Sequence, residues 1–288
     1  MQKAFTIREL VKKYKDFTLG PLYLDLEPGM VQGLIGHNGA GKTSTLLCMA
    51  GITRLNSGSI DVFGNPVSAD DASWKFDIGY VSDEPAFYEN WTGARNLKFI
   101  SQFYPFWSDE LAQKLADRFE LNLNMKAKAL SRGNRVKLAL VAALAHRPKL
   151  YLFDEPTSGL DPVVRAEVME VLWEVMKDGE HSILYSTHIL PDISRLADEL
   201  VFLKNGKVLM RTLKEDLTDN WRRIDVRTDA DLASIPGVVN VTNDGNHKQV
   251  ITADFRSTME ALKQRSISTL GDSRLNIEEI AVHIMRGK

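Results

Sequence analysis

Apolar and polar positions alternate along residues 4–35, with turn signals at Gly20-Pro21 and Pro28-Gly29, and this period of two predicts strands. The last stretch, Val31-Gln32-Gly33-Leu34-Ile35, is a short apolar run that reads as a buried strand, and residues 44–50 behind it read as a helix. Residues 58–65 predict a strand and turn, and 78–82 a further strand. From about 92 to 147 the spacing becomes helical, with candidates at 94–104, 109–119 and 134–146 and Ser108 as N-cap of the second. Strand character returns at 149–153 and 182–186 around a helix at 163–177, and a hairpin is expected over 199–211 with its turn at Asn205-Gly206. The order predicts a parallel α/β core that carries a helical subdomain. Past 218–223 the texture shifts to strands at 224–227 and 250–255, a turn at Asn243-Asp244-Gly245-Asn246, and helices near 257–265 and 276–286. That part reads as a small α+β appendage with no chemical constellation of its own.

Between the strand at 31–35 and the helix at 44–50 stands Gly36-His37-Asn38-Gly39-Ala40-Gly41-Lys42-Thr43, a match to G-x-x-x-x-G-K-[ST] in its strand–loop–helix setting. Glycines let successive backbone N–H groups point inward as a nest for anionic oxygens, and the following helix adds the positive end of its dipole. Lys42 supplies charge for the β- and γ-phosphates, and the Thr43 hydroxyl suits Mg²⁺. The expected nucleoside-triphosphate contacts are Gly36, Asn38, Gly39, Ala40, Gly41, Lys42, Thr43 and Ser44.

The apolar strand at 149–153 runs into Asp154 and Glu155. Asp154 suits the metal, and Glu155, one step further, suits a group that orients or deprotonates water. Upstream, Leu130-Ser131-Arg132-Gly133-Asn134 opens a second helix with exposed backbone donors. One nucleotide needs one phosphate loop, so this second surface is expected to close over a partner's nucleotide. His188, in Tyr185-Ser186-Thr187-His188, follows a strand of the same sheet and is expected near the γ-phosphate.

Composition narrows the class without changing that picture. At 288 residues, 26% charged and 44% hydrophobic, the chain has the make-up of a soluble globular protein with one large domain or one ordinary and one smaller domain. Its net charge of −2 gives no reason to expect a nucleic-acid partner. Cys48 is the only cysteine, which excludes an internal disulfide and favours a reducing compartment. The N-terminus lacks a signal-peptide core, and the longest apolar run, 138–145, falls far short of the roughly 20 residues of a spanning helix. Aromatic residues cluster within and just before the helical stretch, at Phe87, Tyr88, Trp91, Phe99, Phe103, Tyr104, Phe106 and Trp107.

Phosphate loop, Leu-Ser-x-Gly-x, strand plus Asp-Glu, Ser-Gly-Leu-Asp at 158–161 and the late Ser-Thr-His resemble, in order and spacing over residues 4–211, the ATP-binding-cassette ATPases. The resemblance implies a P-loop NTPase core with an antiparallel β subdomain and a helical subdomain. The cassette is expected over 1–215, its helical subdomain at about 86–147, and a small α+β domain over 216–288. It implies a head-to-tail dimer with two ATP molecules and Mg²⁺ in the interface. Tyr14 would stack on adenine, and Thr43 and Asp154 would hold the metal. Ser131, Gly133 and Asp161 would serve the opposite subunit's ATP, while Glu155, His188 and Lys42 carry catalysis. Asp83 stands where the family usually has a Gln, and Arg132 and Asn134 depart from the usual Leu-Ser-Gly-Gly-Gln. The segment Asp83-Glu84-Pro85 and the small tail resemble the export-type drug, antibiotic and polysaccharide subfamily. That resemblance implies a separate polytopic permease, a second cassette of the same or another chain, and a place at the cytoplasmic face of the cell membrane. The competing readings are a soluble switch acting on ribosomes or DNA and a poorly hydrolysing ATP-dependent clamp.

Overall fold

The computed structural model describes residues 2–68, 70–244 and 247–286. The chain divides into two compact units, Met1–Ala197 with Leu203–Val208 and Asp198–Phe202 with Leu209–Lys288.

In the first unit the alternating N-terminal stretch becomes β1 (Phe5–Lys13) and β2 (Thr18–Leu26), paired antiparallel with Phe5 opposite Leu26. The buried apolar strand is β3 (Val31–Ile35), and the phosphate loop delivers the chain into α1 (Lys42–Met49). Next come β4 (Ser57–Val62) and β5 (Asn65–Pro66), which join β1 and β2 in a sheet of order β2-β1-β4-β5. After β6 (Ile78–Val81) three helices follow: α2 (Gly93–Ser101), α3 (Asp109–Arg118) and α4 (Arg132–Ala145). Ser108 does cap α3, its hydroxyl accepting from the Leu111 N–H at 3.1 Å. The first of these helices was expected to reach residue 104 but stops at Ser101, because Pro105 disfavours the helical conformation of Tyr104.

The remaining elements of the core are β7 (Leu150–Asp154), α5 (Pro162–Met176), β8 (Ser182–Thr187) and α6 (Leu190–Leu196), the last not expected from the sequence. Strands β3, β8, β7 and β6 run parallel and neighbour one another in that order, with Val31 opposite Ile183 and Tyr151 opposite Ile183 on its other side. All residues of β3, β7 and β8 are buried, as expected for parallel strands covered on both faces. The order sets β8 between β3 and β7, so the ends of all three strands open on one crevice, where α/β sheets bind ligands.

A hairpin follows, β9 (Glu199–Lys204) and β10 (Lys207–Leu213), turning through Asn205 and Gly206 with φ of 50° and 75°. In the second unit α7 (Lys214–Asn220), β11 (Arg222–Arg227), β12 (Val238–Asp244), β13 (His247–Thr252), α8 (Phe255–Gln264), β14 (Thr269–Arg274) and α9 (Ile277–Arg286) complete the chain. Its sheet has the order β12-β13-β11-β14 and packs Ile224, Val226, Leu232, Ile235, Val250 and Leu262 into a core. The strand expected over 250–255 ends at Thr252, because Asp254 caps α8 by accepting from the Ser257 N–H at 3.0 Å. Gly245 and Asn246 of the expected turn lie outside the described residues.

Candidate nucleotide site

The phosphate loop is shaped by its glycines. Gly41 precedes α1 with φ 110°, and a Cβ there would stand 2.7 Å from the Leu19 Cδ1 atom. The loop is tied from within by the Ala40 N–H donating to His37 O at 3.0 Å, and α1 by the Thr45 hydroxyl donating to Gly41 O at 2.9 Å. Lys42 is buried, and its Nζ donates to Gly36 O at 2.8 Å. The same ammonium stands 3.0 Å from Glu155 Oε1.

Glu155 follows β7 at φ 51°, a left-handed conformation that a non-glycine residue holds at a cost. Its N–H donates to Ser186 O at 3.1 Å, which ties the strained turn to the neighbouring strand β8. On the side away from Lys42, Glu155 Oε2 accepts from the His188 N–H at 3.2 Å and faces the His188 Nδ1 atom at 2.6 Å. The carboxylate is nearly buried, whereas the imidazole is 47% exposed, so only the histidine has a free edge toward an incoming group. A carboxylate held between a cation and an imidazole is suited to position water for attack.

One residue back, Asp154 lies behind the loop. Its Oδ1 accepts from the Ser186 hydroxyl at 2.7 Å and from the Thr43 hydroxyl at 3.2 Å. Burial raises the pKa of this carboxyl, and the charges of Glu155 and Asp83 add to the rise, against the lowering by the two hydroxyls.

Tyr14, Asn38, Gly39, Gly41, Lys42, Thr43, Ser44, Asp83, Glu155 and His188 line one pocket, as does Phe17, whose ring centroid is 6.2 Å from that of Tyr14. Gly36 and Ala40 are buried and are not part of this lining. Ser131, Gly133 and Asp161 are not brought into it. Ser131 caps α4 by accepting from the Asn134 N–H at 3.2 Å, and Asp161 caps α5 by accepting from the N–H groups of Val163 and Val164. Sequence reasoning missed Phe17, His37, Ser158 and Ser186. His37 lies inside the phosphate-loop motif, Ser158 opens the Ser-Gly-Leu-Asp motif and Ser186 precedes Thr187-His188 at a strand end, whereas Phe17 carried no signal. It also missed the buried network beneath the loop after Glu155, where the Thr157 hydroxyl donates to Asp192 Oδ2 at 2.6 Å and Arg165 Nε donates to Asp192 Oδ1 at 2.6 Å.

The geometry sums to a glycine-shaped loop with a buried lysine, a hydroxyl–carboxylate pair behind it and a second carboxylate held between that lysine and a histidine. Comparison with known proteins agrees. The family profile described as "ABC transporter" matches residues 19–158. The ABC transporter ATP-binding protein NatA of Bacillus subtilis (strain 168) is 31% identical over 225 residues, which cover 76% of this chain and 89% of NatA. The linearmycin resistance ATP-binding protein LnrL of the same organism is 32% identical over 222 residues, 75% of this chain and 68% of LnrL. The span of the curated relatives covered by the chain ranges from 62% for one to 90% for another. A solved structure of the ATP-binding subunit of an ABC transporter matches with a TM-score of 0.68 and 28% identity, over 75% of this chain and 92% of that one.

Proposed function

We propose, since this chain belongs to the ABC transporter family as an ATP-binding ATPase, that it is the subunit whose ATP hydrolysis drives a separate membrane permease toward export. The observation that carries the reading is the Glu155 carboxylate, held between Lys42 and His188 beside the phosphate loop.

ATP enters with its adenine against Tyr14 and its phosphates in the nest of Gly36, Asn38, Gly39, Ala40, Gly41 and Ser44. The β- and γ-oxygens draw Lys42 away from Gly36 O and Glu155. Glu155 then keeps only its His188 side and orients the attacking water, while the exposed imidazole edge reaches the γ-phosphate. Thr43 Oγ1 and Asp154 Oδ1, 3.2 Å apart, are hard oxygen donors whose chemistry fits Mg²⁺, and these two side chains would hold it. When bound, the ion neutralises charge that builds on the transferring phosphoryl group.

Ser131, Gly133 and Asp161 serve the nucleotide of a second ABC subunit, a copy of this chain or a related one. Their absence from this chain's own pocket lining supports that role. In this reading residues 1–215 form the ATP-binding domain, with its helical subdomain at about 86–147, and 216–288 a small C-terminal domain. No helix among the described residues is long and apolar enough to cross a membrane, and the spanning part is assigned to the polytopic permease. The subunit works peripherally, at the cytoplasmic face of the cell membrane.

The permease surface is the aromatic run before and along α2. Tyr88 and Trp91 stack with centroids 4.2 Å apart, Phe99 meets Tyr88, Trp91 and Phe103 edge to face at 5.1–5.6 Å, and Phe106 beyond them is 71% exposed. Export is supported by the Asp83-Glu84-Pro85 segment and by likeness to a resistance ATP-binding protein. Steady-state hydrolysis by the purified chain tests the core of the reading. Turnover is expected to vanish in Glu155→Gln while ATP binding persists, and an unchanged rate in that variant would refute it.

A further inference from the structure

The first residue of α4 carries more than a departure from a motif. Arg132 Nη2 donates to Asp83 Oδ1 at 2.6 Å, across 49 positions of chain. The first turn of α4 holds no acidic residue, so a cation there sits against the positive end of the helix dipole and needs a counter-charge from elsewhere. Asp83 supplies it. A second observation places the guanidinium beside another loop. Gly159, in the loop that runs to Asp161, has φ 67°, and a Cβ there would stand 3.3 Å from Arg132 Cζ, so the guanidinium packs against the space that this glycine leaves open. One side chain therefore touches the segment after β6, the start of α4 and the loop before α5.

Asp83 lines the phosphate pocket together with Lys42, Thr43 and Glu155. An unneutralised carboxylate at that position repels a polyanion, most of all at the γ-phosphate end where Glu155 and His188 stand.

We propose that Arg132 is a positioning residue that holds and neutralises the Asp83 carboxylate, so that the pocket of the same chain accepts a triphosphate with an acid in its wall. The proposal rests on the ATPase reading of the pocket. It adds an electrostatic pairing within one subunit to a helix start otherwise assigned to the nucleotide of a second subunit. The two acts are separable by experiment, because one operates in a monomer.

The test is isothermal titration of the full chain with ATP and with ADP in EDTA, with light scattering to confirm a monomer. Arg132→Ala is expected to weaken ATP roughly tenfold and ADP by no more than about threefold, because ADP lacks the phosphate nearest Asp83. Adding Asp83→Asn to Arg132→Ala is expected to return ATP affinity to within about twofold of the parent, and Arg132→Lys to recover part of it. A double variant as weak as Arg132→Ala alone, or equal losses for ATP and ADP, would overturn the proposal. Should Arg132→Ala fail to fold, Arg132→Lys and Arg132→Gln decide it. The charge-keeping variant must bind ATP more tightly than the neutral one, and equal affinity would refute the pairing. If the parent itself binds no ATP, the reading of the pocket fails rather than the role of Arg132.

Discussion

Around the phosphate loop, Lys42, Asp154 and Glu155 are buried and interlocked, each contacting a group from a different strand or loop. At the starts of α4 and α5, Ser131 and Asp161 are exposed, and their caps close on their own helices. The first region is a finished site within one chain. The second is a pair of helix N-termini outside that pocket, where the caps hold the Asn134 N–H at α4 and those of Val163 and Val164 at α5, and the function proposed above assigns both starts to the nucleotide of a second cassette. The difference teaches that one chain can complete a pocket with buried, interlocked groups and leave two capped helix starts outside it, which the proposed function gives to a partner's nucleotide.

The largest effect should come from breaking the finished half. Lys42→Ala removes the one ammonium in the nest and frees Glu155 from its ion pair. ATP affinity is expected to fall about 100-fold or more by titration calorimetry, and a loss below about threefold would contradict the assignment.

Ser131→Ala sharpens the comparison from the other side. ATP binding to the monomer should stay within about twofold while turnover drops roughly tenfold, since only the half that meets a second subunit is altered. The lost cap should also cost about 1 kcal/mol of stability, seen in thermal unfolding. Weakened monomer binding would mean that the two regions are not separate.

The aromatic face gives a comparable effect of another kind. Phe106→Ser with Trp107→Ser should reduce co-purification of a permease from native membranes roughly tenfold while the isolated chain stays folded, because Phe106 is mostly exposed. Full recovery of the permease would rule this face out.

The smallest expected effect concerns stability. The Asp154 carboxyl has its pKa raised by burial, so the folded state holds that proton more tightly than the unfolded chain. Stability from this group is present at low pH and is lost as pH rises above the ordinary value of 3.8, so the ionised acid is a liability at neutral pH. Asp154→Asn keeps an acceptor for Thr43 and Ser186 and should raise the melting temperature at pH 7 by about 2–4 °C while hydrolysis is lost. A lower melting temperature would show that the charge is stabilising.

These features were unequally legible in the sequence. The loop at Gly36–Thr43, the Asp154-Glu155 pair and His188 were readable because each follows an apolar strand, and parallel strands deliver their ends to one crevice. The Lys42–Glu155 contact, Ser186 beneath Asp154 and the Arg132–Asp83 pair were not readable, because partners far apart in sequence leave no local pattern. In the second unit β11 and β13 announced themselves by alternation. Strand β14, with every residue exposed and Gly271 in its middle, has no buried face to impose a period.

The central claim is that the second half-site is completed by another cassette. The direct measurement is the molar mass of the Glu155→Gln chain by light scattering, in saturating Mg-ATP and without nucleotide. The account predicts a dimer with Mg-ATP and a monomer without it, because blocked hydrolysis keeps the shared contacts in place. A protein that stays monomeric in saturating Mg-ATP would contradict it.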